Sequence, residues 1–167
     1  VNVAKNNQLF AAQLITFESM RVAISQAKIS DFEIIQCCTQ YPEDVEIVPS
    51  YFHKLSNLTR SVSDINSELK VRKLPLIKDI LSKTTEIEKI DFIIYTNVDI
   101  ALMPFFYKAV YEYIMEGHDF IAINRRRLEN KYTSVNELTK MYAELGKSHP
   151  GFDCFIFKQS LLKKLHL

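Results

Sequence analysis

The chain has 167 residues, 47% of them hydrophobic and 25% charged, the make-up of a globular domain rather than a disordered chain. Its 21 basic and 20 acidic residues leave a formal net charge of +1, so no electrostatic case exists for general nucleic-acid binding. No apolar run reaches the roughly 18 residues of a membrane span, and 3 glycines with no tryptophan speak against a glycine-rich dinucleotide fingerprint.

In chain order, Val1–Val3 reads as the tail of a strand. Gln8–Lys28 is expected to be helical, because Leu9, Ala12, Leu14, Phe17, Met20 and Ile24 recur near the helical period. The apolar run Phe32–Cys38 predicts a buried strand. Pro42 and Pro49 break the mixed stretch that follows, with one short strand expected at Val45–Val48. Ser61–Leu69 reads as helix, and Pro75 suits the first turn of another that runs to Ser82. Asp91–Thr96 predicts a fully buried strand. A helix from Pro104 to Glu116 follows, with Phe105 and Phe106 in its core and Gly117 as its stop. Asp119–Asn124 is the next strand, Ser134–Leu145 a helix, and Phe152–Phe157 the last strand before a helix start at Ser160. Strands alternating with helices predict an α/β fold with a mainly parallel sheet covered on both faces. Phe92, Ile94, Val110, Ile114, Phe120, Ile121, Phe155 and Phe157 are its expected core.

Cys37, Cys38 and Cys154 form no C-x-x-C pair, so they read as reduced, mostly buried thiols rather than a zinc or disulfide framework. With no signal-peptide pattern, a cytoplasmic setting is expected. The start at Val1 and the stop within an apolar-basic run suggest one domain, 1–167, that is a piece of a longer protein or the core within one.

The chain holds no P-loop, no G-x-G-x-x-G, no G-x-S-x-G and no H-E-x-x-H. What remains is the stretch Asn97-Val98-Asp99 at the carboxyl end of a buried strand, where open α/β sheets bind ligands. Asn97 and Asp99 are two apart and would point the same way in extended chain. Such a pair of oxygen-bearing side chains can hold a divalent cation that takes its other ligands from a phosphate. The bland reading is a turn at Asn97 and a helix cap at Asp99. A second cluster, His149-Pro150-Gly151-Phe152-Asp153, places a His and an Asp beside an aromatic on one loop, which suits binding or acid/base work.

Taken together, Asp91–Ile100, Asp119–Arg125 and His149–Phe157 resemble the core of GT-A-type glycosyltransferases. The resemblance implies a Rossmann-like three-layer sandwich and transfer of a sugar from a nucleotide-diphosphate donor to an acceptor hydroxyl. It implies that Asp99 binds a metal, Mn²⁺ or Mg²⁺, in the Asp-x-Asp position, with Asn97 in place of the first acid touching ribose or metal-bound water. Asp153 is then the candidate base, and His149 assists the metal or the diphosphate. Arg72, Lys73 and Arg125 offer a phosphate clamp, although three consecutive arginines are ordinarily a solvated charge run. Asn57-Leu58-Thr59 is an N-glycosylation sequon, of use only in a secretory compartment.

Two rival classes stand beside the transferase. A phosphatase of the haloacid dehalogenase type needs a carboxylate nucleophile where this chain has Asn97. A non-catalytic, transferase-like binding or scaffold module fits both the Asn97 departure and the short length.

Overall fold

A computed structural model describes residues 8–27, 32–66, 73–129 and 131–164. The chain divides into two compact units: one is built mainly from Ile34–Asp91, the other from the first helix and Phe92–Lys158. The expected strand at Val1–Val3 and the end of the expected helix at Ser67–Leu69 lie outside the described residues. Among the described residues no helix is long and apolar enough to cross a membrane.

The first unit is rich in loops. Strands β1 (Cys37–Cys38) and β2 (His53–Lys54) form a two-residue parallel ladder in which Cys37 faces His53. The run from Phe32 to Gln36 is not strand, and Val45–Val48 is turn rather than strand. Helices α2 (Val62–Ile65) and α3 (Ile77–Lys83) follow. Pro75 precedes α3 instead of opening it. The core holds Tyr41, Val48, Phe52, Leu55, Leu58 and Leu81. Tyr41 donates its hydroxyl to the Arg60 carbonyl at 3.1 Å, so its one polar group is satisfied. Gln40 Nε2 donates to the Leu55 carbonyl (2.9 Å) and to Asn57 Oδ1 (2.7 Å), closing the sequon loop. Arg60 grips Asp79 through two bonds of 2.7 Å.

In the second unit, α1 (Gln8–Ala27) confirms the helical spacing but not the expected stripe. Thr16, Ser19, Ala23 and Ala27 form the buried line, with Phe17, whereas Leu14 is exposed. Small side chains let other backbone approach this helix closely. Ser19 is fully buried; its hydroxyl donates to the Thr16 carbonyl (2.7 Å) and accepts from the Leu102 amide (2.8 Å). That bond anchors the segment that follows the next strand.

Strand β3 (Phe92–Thr96), helix α4 (Phe106–Met115), strand β4 (Phe120–Arg127), a short helix α5 (Leu138–Tyr142) and strand β5 (Lys147–Lys158) complete the unit. The sheet order is β3-β5-β4, with β5 antiparallel to both neighbours. The expected Rossmann-like, mainly parallel sandwich is therefore wrong: the described residues form a three-stranded antiparallel sheet and a two-stranded parallel one. β3 and β4 do run in the same direction across α4, as a crossover requires. However, β5 inserts between them and takes both ladders, the split form of a βαβ unit.

One sheet face packs on α4. Ile94, Ile156 and Ile121 align across the three strands, as do Thr96, Cys154 and Ile123. Val110, Cys154 and Ile156 are the buried centre, with Phe92, Phe106 and Ile114 packed around them. The other face buries Ile93 and Phe157 but leaves Phe120 52% exposed. Of the expected core, Val110 and Phe157 are buried; Phe92, Ile94, Ile114, Ile121 and Phe155 are half-buried, and Phe120 is at the surface. Phe105 is also exposed, because it sits at the α4 N-terminus rather than in its core. Cys154 is buried and free, and burial pushes its thiol up to about 11, with the nearby Thr96 hydroxyl opposing the shift.

Two outcomes test this fold. Ser19→Ala leaves the buried Leu102 amide without its acceptor, which costs about 1–3 kcal/mol; urea unfolding with an unchanged midpoint would contradict the anchor. In the first unit, hydrogen bonds lower four carboxyls: Glu43 through Lys73, Asp64 through the Ser61 amide, Asp79 through Arg60 and Glu86 through Ser56. Depressed folded values add stability that is complete above the ordinary carboxylate values of 3.8 and 4.5 and is lost as pH falls through the lowered ones. Thermal melts should fall steadily on acidification below that range, and a flat profile would contradict these contacts.

Candidate functional site

The site lies where β3 ends and the β4–β5 ladder is interrupted. Asn124 pairs with Phe152 and Arg126 with Ser148, so three residues, His149-Pro150-Gly151, oppose the single Arg125. Pro150 has no amide to give a ladder, and the strand bulges there. The bulge turns His149 and Arg125 toward each other. Asn124 Nδ2 closes it, donating to the His149 carbonyl at 2.6 Å and to the Gly151 carbonyl at 2.9 Å.

Four side chains meet here, from β4, from β5 and from Asn97 just past the end of β3. Arg125 Nε lies 3.2 Å from Asp153 Oδ2, and Arg125 Nη2 lies 3.1 Å from His149 Nε2. Asn97 Nδ2 donates to Asp153 Oδ1 at 3.5 Å, and the Tyr95 hydroxyl donates to Asn97 Oδ1 at 3.3 Å. Burial and the Asp153 charge both raise the Tyr95 phenol, so it remains a donor. The side chains of Arg125, Asp153 and His149 are only 25%, 17% and 14% exposed. Arg125 and Asp153 offset each other's charge. The Arg125 Nε and Asp153 Oδ2 atoms are buried and, despite their proximity, lie outside hydrogen-bond geometry, so the pair is held by charge alone.

The imidazole is crowded by donors. The Gly151 amide donates to His149 Nδ1 at 3.0 Å, and a guanidinium can only donate, so both ring nitrogens face N–H groups. A neutral imidazole accepts at one nitrogen. The ring therefore cannot accept from both the Gly151 amide and the Arg125 guanidinium, and one of these two N–H groups faces it without a hydrogen bond. Nδ1 also lies 3.4 Å from the Gly151 carbonyl oxygen and 3.7 Å from Asp153 Oδ2. A Cβ at Gly151 would stand 3.0 Å from His149 Cε1, so a larger residue there would displace the ring by a few tenths of an ångström.

The remaining expected residues fall elsewhere. Asp99 is exposed on a turn closed by the Ile100 amide and the Asn97 carbonyl at 3.3 Å. Among the described residues no group of three His, Cys, Asp or Glu side chains is placed to hold a metal ion. An exposed carboxylate next to a neutral amide is a poor donor set for Mn²⁺ or Mg²⁺, so the expected metal-binding character is corrected. Lys73 belongs to the first unit, where it pairs with Glu43 and lies 4.0 Å over the Tyr41 ring. Arg72 lies outside the described residues. Sequence reasoning missed Asn124 and Tyr95. An Asn one position before an arginine run, facing a Pro-Gly pair, was the only available signal for Asn124.

Comparisons with protein-family models, with curated proteins and with solved structures find no match. The likeness to GT-A-type transferases thus rests on the motif residues alone, without the Rossmann-like sheet it implied.

Asn124→Ala removes the brace across the bulge. Amide exchange at Gly151 should then quicken by roughly fivefold, the equivalent of a hydrogen bond of about 1 kcal/mol, with Ile156 unchanged. Equal exchange at Gly151 in both proteins would show that the bulge holds its shape without Asn124.

Proposed function

We propose that the chain is a non-catalytic binding module that recognises a glycosyl ligand at the Arg125–His149–Asp153–Asn97 cluster without a metal. The observation that carries this reading is the convergence of these four side chains on one bulged strand end. The cluster is close to neutral, because Arg125 faces Asp153. A bare diphosphate would meet the Asp153 carboxylate as well as the guanidinium, whereas sugar hydroxyls both give and accept hydrogen bonds and suit a mixed array. Phe152, exposed and next to Asp153, offers an apolar ring face to a sugar.

The same geometry favours binding over transfer. Asp153, the candidate base, has its oxygens turned to Arg125 and Asn97, and little of it is open to an acceptor hydroxyl. Asp99 stands on an exposed turn, and among the described residues it belongs to no group of three His, Cys, Asp or Glu side chains placed to hold a metal ion.

Calorimetric titration with nucleoside diphosphate sugars, the bare diphosphates and free sugars tests the reading. The expected result is binding of sugar-bearing ligands that chelator leaves unchanged and that Asp153→Asn weakens by about tenfold, the equivalent of about 1.4 kcal/mol. Binding that requires Mn²⁺, turnover of a donor, or no binding of any of the three would overturn it.

A further inference from the structure

At the far end of the β4–β5 ladder, the turn into β5 holds Leu145, 85% exposed and the most exposed large hydrophobic side chain among the described residues. The turn is held in shape. Arg126 donates through Nε to the Leu145 carbonyl and through Nη2 to the Gly146 carbonyl at 2.8 Å. Gly146 has φ +61°, and a Cβ there would stand 2.7 Å from the Arg127 carbonyl oxygen, so only glycine fits. The conformation keeps Leu145 outward.

Cations surround it. Arg127 and Lys147 face each other directly across the strands, both exposed. Like charges so placed repel. Among the described residues neither they nor Arg126 pair with a carboxylate. Of the acids nearest in sequence, Glu144 is taken by Lys131 and Tyr132, and Glu129 is exposed two residues beyond Arg127.

We propose that this turn docks on an anionic lipid surface, with Leu145 entering the interface and Arg126, Arg127 and Lys147 over the headgroups. Charge complementarity requires an anionic partner. Leu145 projects with 85% of its surface exposed, and a fluid interface receives a single projecting apolar side chain without a matching cavity. The docking is peripheral, and it uses residues apart from the glycosyl cluster, so neither depends on the other.

Co-sedimentation of the full chain tests it, using vesicles of phosphatidylcholine alone or with about one third phosphatidylserine. The chain should sediment only with the anionic vesicles, and added salt should release it. Replacing Arg127 and Lys147 together by Gln should weaken binding by about thirtyfold, at roughly 1 kcal/mol for each basic residue. Leu145→Asp should also weaken it, with the far-ultraviolet circular dichroism of both variants unchanged. Sedimentation with neither vesicle, equal sedimentation with both, or folded variants that bind as the parent does would overturn the proposal. Binding to polyglutamate without binding to vesicles would assign the turn to an acidic protein and overturn it as well.

Discussion

The second unit depends on one strand. β5 gives its ladder to β3 on one side and to β4 on the other, and its Ile156 is fully buried between them. Without β5, β3 and β4 would be two unpaired strands on either side of a gap, and α4 would have no continuous apolar face to cover. The cross-strand alignment of Ile94, Ile156 and Ile121 under α4 is therefore one source of the unit's stability that depends on β5. The same strand supplies the site. Its amino-terminal half carries the His149-Pro150-Gly151 bulge, and its regular half carries the core, so one segment both folds the unit and interrupts its own ladder where polar groups are wanted.

That arrangement explains which parts of the fold were legible. α1, α4 and β3 have a strong period or a bounded apolar run, and each lies within a few residues of its expected place. Strand direction was not legible. The run Phe152–Phe157 looks the same whether it closes a parallel crossover or wedges into an antiparallel sheet, because periodicity reports burial and not partner. β5 also extends back to Lys147, through a His-Pro-Gly stretch that reads as loop. In α1, Thr16, Ser19, Ala23 and Ala27 are buried along with Ile15 and Phe17, and a hydroxyl such as Ser19's, which bonds protein backbone, does not register as apolar. Phe120 misled in the opposite sense: its strand lies at the sheet edge, and nothing among the described residues fully covers its outer face.

The site was more legible than the sheet. Asn97, Arg125, His149 and Asp153 stand out as polar groups at the ends of apolar runs, and the structure brings the four together. Asp99 was over-read: the two-residue spacing that aligns side chains in a strand does not do so when the strand ends at Thr96 and a turn begins at Asn97. Asn124 was under-read, since its role is to bind two backbone carbonyls of a bulge that no sequence pattern announces. Among the described residues a guanidinium beside a carboxylate, and no group of three metal-ligating side chains, is what the strand ends bring together.

The central claim is that Arg125 and Asp153 act as one charge-balanced pair held by the bulge. A double-mutant cycle on Arg125→Ala and Asp153→Ala, read by urea unfolding, measures that pairing directly. Because both side chains keep some exposure, the expected coupling is about 1 kcal/mol, within the range for residues in contact. Additive single effects, with no coupling beyond error, would contradict it and leave the two charges as neighbours without a shared function.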